Sequence, residues 1–332
     1  MPRLLWCFSF LLSVFAAPIA LGAQDIHVQV SKQFSGAGVS DDHFPTIQMA
    51  LDHAARPAGT GRLYLHIAPG VYRDRVIVTQ NSPRTTMLGM GAKPEDVVIV
   101  ASQSATTAGG TFFSSTAEIY GPEFEADNLT FSNDAGNVGQ AVAITVRSDR
   151  AVFKHCRFLG DQDTLFADFG RQYYTRSYVE GGVDFIFGNA SAVFDDSEIH
   201  VIRPGYIAAQ SRTNPEQSTG FVFHDVHITA VNLGDRSFYL GRPWRPYSRV
   251  VYISSTLPAG LNPKGWAAWS KGNSIENTFF AEYESHGAGA NAKVRMEGAR
   301  QLSRQEAAGF EARQFLAGAD NWNPIAEAAN LP

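Results

Sequence analysis

Two aspartates in apolar, β-prone surroundings are the residues of this chain whose types and spacing best suit chemistry. Asp163 lies in Gly160-Asp161-Gln162-Asp163-Thr164-Leu165-Phe166, which puts Gln162 and Asp163 at the edge of a strand. Asp184 lies in Gly181-Gly182-Val183-Asp184-Phe185-Ile186-Phe187-Gly188, a run that otherwise reads as core. A charge there is expensive unless it is paired or hydrogen-bonded. The two aspartates are 21 residues apart. If the chain coils with that period, parallel strands about 4.8 Å apart bring the carboxylates together. Like charges that close drive one pKa up and leave one acid and one base. Leu240-Gly241-Arg242-Pro243-Trp244 offers a guanidinium that can keep the other carboxylate ionised, next to a flat aromatic ring. An aspartyl nucleophile with a general acid needs such a set.

The residue types by themselves leave alternatives open. Asp184 reads equally well as a structural carboxylate, Arg242 as half of a surface salt bridge and Trp244 as a core aromatic. Asp161, Asp195 and Asp196 are expected to cap backbone N–H groups in turns. Other chemistries lose their usual support: Gly-x-Ser-x-Gly, His-Glu-x-x-His, Cys-x-x-Cys and Walker motifs are absent. Gly36-Ala37-Gly38 and Gly89-Met90-Gly91 do not complete a dinucleotide fingerprint.

The elements that must position these residues are mostly short β-prone runs separated by Gly, Asn and Asp. Asn128-Leu129-Thr130-Phe131, His155-Cys156-Arg157-Phe158, Asp196-Ser197-Glu198-Ile199 and Asp225-Val226-His227-Ile228 look alike. They recur at ~20–30 residues, a solenoid period, and such units bury their apolar faces only by stacking. The long intervening loops count against a β-sandwich. The pattern predicts an all-β, single-domain right-handed parallel β-helix. Thr46 to Ala55 places apolar residues at helical spacing after Pro45 and predicts a short N-terminal helical cap. Arg62 to Ile67 reads as a buried strand. From about residue 300 the chain turns helical and polar, in Ser303 to Ala308 and Ala312 to Leu316, and this tail is expected to pack over the solenoid.

Net charge is −5 and pI about 6.0, with no basic run, which excludes an ordinary nucleic-acid binder. An acidic polymer would have to be met by local positive charge. Arg3, the apolar Leu4 to Phe15 and small residues up to Ala23 read as a signal peptide spanning residues 1–23, too short and too interrupted at Pro18 to be an anchor. The mature chain, 24–332, then keeps only Cys156, expected to be a buried small hydrophobe, so stability must come from packing and backbone hydrogen bonds.

Four blocks carry a family resemblance: Gln140-Ala141-Val142-Ala143, Gln162-Asp163-Thr164-Leu165, Val183-Asp184-Phe185-Ile186-Phe187-Gly188 and Leu240-Gly241-Arg242-Pro243-Trp244. In this order and separation they resemble the signature blocks of pectin methylesterases, and Gly70-Val71-Tyr72 and Gly265-Trp266 also fit. The similarity runs from about Ile26 to Pro324. It implies a right-handed parallel β-helix that demethylates polygalacturonate methyl esters without metal or organic cofactor. By resemblance, Asp184 is the nucleophile and Asp163 the acid/base. Gln162 and Gln140 stabilise the oxyanion, and Arg242 orients the nucleophile. Trp244, Phe187, Phe166 and Thr111 match substrate-contacting positions. The partner implied is methyl-esterified pectin, with no nucleic acid and no membrane insertion after leader cleavage. A monomer, secreted or periplasmic, is expected. Asp74 departs from the family's usual Glu, at a position read as structural. Asn128-Leu129-Thr130 and Asn189-Ala190-Ser191 fit the glycosylation sequon. A lyase or glycosidase on the same fold, or an inactive carbohydrate-binding or thioester-hydrolysing relative, are the competing readings. The amides of Gln140 and Gln162 favour the esterase over the first two.

Overall fold

The computed structural model describes residues 24–34, 40–53, 61–270 and 275–332. The expected leader with Cys7, and Ala54 and Ala55 at the expected helix end, lie outside these residues.

Short β-prone runs with an inward apolar position every second residue cannot stand alone, and here they stack. Leu63–Ile67 shows the pattern, with Leu63, Leu65 and Ile67 fully buried between half-exposed Tyr64 and His66. Among the described residues the first sheet has 12 strands, running from His43–Phe44 through Ala151–Lys154, Arg171–Thr175 and Ser191–Asp195 to Arg300–Gln301. Neighbouring strands are parallel and come from successive coils. The opposite wall is made by two further rows of parallel strands, joined where long strands bend across both. Tyr178–Gly188 pairs with Arg157–Leu159 through its first half and with Leu165–Phe169 through its second. Glu198–Gln210 does the same with His227–Ala230 and Phe238–Gly241. The chain is a right-handed parallel β-helix, the hand that twisted parallel strands impose on their crossovers.

One corner repeats on each coil. Asn128, His155, Arg176, Asp196, Asp225 and Ser254 have φ of 60°, 49°, 47°, 46°, 51° and 48°. This left-handed region disfavours most side chains, so the stack and not local preference holds them there. Each N–H donates to the next coil, as from His155 to Thr175 O (3.2 Å) and from Arg176 to Asp195 O (3.1 Å). Just inside the corner, Cys156 N–H donates to Ser177 Oγ (3.1 Å) and Ser177 N–H to Ser197 Oγ (3.0 Å). Cys156 is wholly buried and its thiol is pushed far up by burial, as befits the small hydrophobe read from sequence. The Asn128 amide of the first sequon donates to Gly89 O and Gly91 O at 2.9 and 2.8 Å.

Inside the first sheet, Phe153, Tyr174, Phe194, Phe223 and Tyr252 are in register on five consecutive coils. Their ring centroids are 4.9, 4.6, 4.9 and 4.4 Å apart, an offset stack that fills the interior without a crosslink. The helix Ile47–His53 closes the N-terminal end, burying Ile47, Ala50 and Leu51. The tail forms Arg304–Ala308, Ala312–Phe315 and also Pro324–Asn330, a helix the sequence reading did not include although Asn323 caps it and Pro324 begins it. Leu302, Ala307, Leu316, Trp322 and Leu331 pack on Val152, Tyr173, Val193, Val222 and Val251, the outward residues of the first sheet.

The capping expected of three aspartates is replaced by other bonds. Asp161 pairs with Arg203, and Asp195 accepts from Tyr173 and from His224 (2.7 Å). Asp196 is itself a corner residue. For Asp161 and Asp195, partners on neighbouring coils outweigh a local turn.

Candidate active site

Register brings the two aspartates together. Gln140 bridges to Gln162 and Gln162 to Val183, all parallel, so the residues that follow, Asp163 and Asp184, occupy the same rung of adjacent coils. Asp163 N–H donates to Val183 O at 3.1 Å. Both aspartates are left-handed, at φ 63° and 50°. This breaks the strand alternation at the rung, and both side chains line one cavity of about 240 Å³. Gln140 and Gln162 line the same cavity from the preceding rung, so two amides stand beside two carboxylates.

A rung three residues further along each coil forms the floor. Phe166 pairs with Phe187 and Phe187 with Ala209, and the two phenyl rings stack at 4.5 Å. Phe112 stacks on Phe166 at 5.0 Å, and Trp244 stands 5.9 Å from Phe187. Thr111, Phe187 and Trp244 line the cavity with the aspartates. Phe166 lies in a contiguous cavity of about 380 Å³ that shares Phe112 and Trp244 with it. That second cavity carries Arg245 and the Arg147–Asp168 ion pair (2.7 Å).

Arg242 reaches the site from the end of the strand Phe238–Gly241, its N–H fixed on Ala208 O at 2.9 Å. Its guanidinium forks Asp184, Nε donating to Oδ1 (2.9 Å) and Nη2 to Oδ2 (2.6 Å). The bidentate pair is strong and directional, and Asp184 is only 5% exposed, so water does little to screen it.

Environment separates the two carboxylates. Burial raises Asp163 well above the usual carboxylate range, and the charge of Asp184 raises it further. Burial raises Asp184 as well, but the Arg242 fork and charge pull it back. Asp184 stays raised on balance, but less than Asp163, so Asp163 is the one of the pair that holds a proton more readily. A buried acid beside an oriented carboxylate and two amides can attack a carbonyl, bind the developing oxyanion and protonate a leaving group.

The sequence reading missed two aromatics of the cavity, Phe112 and Trp269. Phe112 directly follows Thr111 in the chain. Trp269, in Ala268-Trp269-Ser270, carried no spacing signal, because only the coil brings it to Arg242. Among the described residues, no three His, Cys, Asp or Glu side chains group as a metal site.

The chain matches known proteins in sequence and in fold. The family model described as Pectinesterase matches residues 34–319. The chain belongs to the pectinesterase family. It is 37% identical over 289 residues to the pectinesterase of Daucus carota, covering 83% of this chain and 90% of that relative. The solved structure of the carrot pectin methylesterase superposes with a TM-score of 0.84 at 34% identity, covering 92% of this chain and 97% of that one. A pectin methylesterase solved in complex with a hexasaccharide superposes at 0.76 with 27% identity, covering 93% and 100%. The chain spans about half the length of some curated relatives, 56% and 47% of two from Arabidopsis thaliana.

Proposed function

We propose that this chain hydrolyses the methyl esters of polygalacturonate, releasing methanol and leaving pectate. The observation that carries the reading is the Arg242 fork on Asp184 beside an in-register Asp163 that holds a proton. Family membership supports the substrate class, and the hexasaccharide complex of a structural relative supports an extended sugar chain as ligand.

In this reading an Asp184 oxygen attacks the C6 carbonyl of a methyl galacturonate. The carbonyl π pair moves to oxygen, and the oxyanion accepts from the side-chain amides of Gln140 and Gln162. The oxyanion collapses, the C–OCH₃ bond breaks, and Asp163 gives its proton to the departing methoxide. The product is an anhydride between Asp184 and the sugar carboxylate. Asp163, now a carboxylate, takes a proton from water as the water oxygen attacks the anhydride. Asp184 leaves as carboxylate, and the net change is ester plus water to acid plus methanol. Carboxylate is a weak nucleophile, so the orientation set by Arg242 supplies much of the rate. Trp244, Phe187, Phe166 and Thr111 hold the sugar chain along the aromatic floor.

The protein acts as a secreted or periplasmic monomer in this reading, its leader removed and 24–332 forming one working unit. No helix of the described residues is long and apolar enough to cross a membrane. Incubation with methyl-esterified pectin tests the activity: methanol appears while chain length is unchanged. Unsaturated or new reducing ends would point instead to a lyase or a glycosidase. Asp184→Ala is expected to abolish methanol release with the fold intact.

A further inference from the structure

Arg242 is held by more than its carboxylate. Its Cζ lies 4.0 Å from the ring centroid of Tyr206 and 4.3 Å from that of Trp269. A guanidinium packed on aromatic rings gains from their quadrupoles and loses rotamer freedom before it meets a partner. Trp269 lines the catalytic cavity and so would also touch substrate. Tyr206 is not among the residues that line it. It belongs to the strand Glu198–Gln210, in register with Val183 on one side and Tyr239 on the other. Val183 is the residue before Asp184, so the ring stands one coil over, beside the carboxylate's own strand. Tyr239 stacks on Tyr206 at 5.5 Å and its hydroxyl accepts from Asn262 Nδ2 at 3.1 Å, which fixes the ring from behind.

We infer that Tyr206 is a positioning residue for the proposed esterase reaction, acting through Arg242 to hold Asp184 oriented and ionised without touching substrate. The inference rests on the proposed function for its kinetic readout but not for its structural one. Ring and carboxylate grip the guanidinium in different ways: the donor edge is spent on Asp184, while the rings oppose rotation and exclude water around the pair. Without the Tyr206 ring, Arg242 samples other rotamers and Asp184 spends more time as a buried carboxylate without its cation. Its proton affinity then rises. The charged and titratable groups facing this pair are Asp163 on the adjacent coil, Tyr206 itself, and the Arg203–Asp161 pair, whose arginine packs against Gly182.

The test compares Tyr206→Leu, Tyr206→Met and Tyr206→Phe with wild type on methyl-esterified pectin across pH. The leucine and methionine variants are expected to lose about tenfold in kcat with KM unchanged, their acid limb moving to higher pH. The phenylalanine variant keeps the ring and is expected to stay within about twofold of wild type. Titration of Asp184 by carboxylate carbon NMR should show a higher midpoint in the two aliphatic variants and a wild-type midpoint in Tyr206→Phe. The inference is overturned if kcat and the Asp184 midpoint are unchanged in both aliphatic variants, or if only KM rises. If the wild type releases no methanol, the proposed function fails, while the NMR midpoint still decides the role of Tyr206.

Discussion

At the scale of residues, Asp163 and Asp184 share a side-chain type, a rung and a left-handed backbone, and their neighbours alone raise Asp163 further than Asp184. Asp163 is raised by burial and by Asp184, so between its unfolded and folded midpoints the folded protein binds a proton that the unfolded chain has released. Folded-state proton uptake in excess of the unfolded state makes stability fall as pH rises. Asp163→Asn is therefore expected to remove methanol release by about 10³-fold or more, yet to raise Tm at pH 7. That gain should fade near pH 4, where unfolded aspartate is also protonated. Arg242→Leu works in the opposite direction. It strands Asp184 without its cation and should cost about 3 kcal/mol in urea unfolding at pH 7, less at acid pH once Asp184 protonates. Gln140→Leu and Gln162→Leu each remove an amide that the proposed reaction uses as an oxyanion donor, and are expected to lower kcat about 10²-fold while KM changes little.

Among the elements, the bent strands matter most. Tyr178–Gly188 must leave one wall, turn at Val183-Asp184 and join another, and its register shifts between Gly181, Val183 and Ile186 mark that turn. Gly188 ends it at φ 124°, and a Cβ there would come within 2.1 Å of Ala167 O. Backbone offers no flexible end to move aside. Gly188→Ala should thus destabilise by about 3 kcal/mol and reduce activity together, since the strand carries both Asp184 and Phe187; thermal melting and methanol release check it.

For the whole molecule, the tail covers the outward face of the first sheet with apolar contacts and a small ionic clasp. Leu316 is fully buried there, and Leu316→Ala should cost about 3 kcal/mol. His224 Nδ1–H donates to Asp195 Oδ1 (2.7 Å), and Nε2 faces Glu311 of the tail at 3.6 Å. His224 is raised, chiefly by its Asp195 bond, so its contribution is full below the unfolded value of about 6.5 and is lost as pH rises through the folded value. Although burial opposes it, Asp195 is lowered through its His224 and Tyr173 bonds, so its contribution is full above about pH 4 and lost as pH falls through the folded value. The clasp is strongest at mildly acid pH. Limited proteolysis should release the tail faster at pH 8 than at pH 5.5, and His224→Gln should remove that difference.

The sequence by itself determined the β-helix and the two aspartates a coil apart, because a solenoid writes its period into the chain and a charge in an apolar run announces itself. It also held the look-alike runs that begin at Asn128, His155, Asp196 and Asp225, and the family resemblance that the family match bears out. Only the tertiary structure decided which residues meet across coils. Register pairs Gln162 with Val183, sets both aspartates in the left-handed region, and brings Tyr206 and Trp269 from distant segments onto Arg242. The true partners of Asp161 and Asp195 belong to the same class. Each depends on contacts between coils, and a contact between coils has no fixed spacing in the chain.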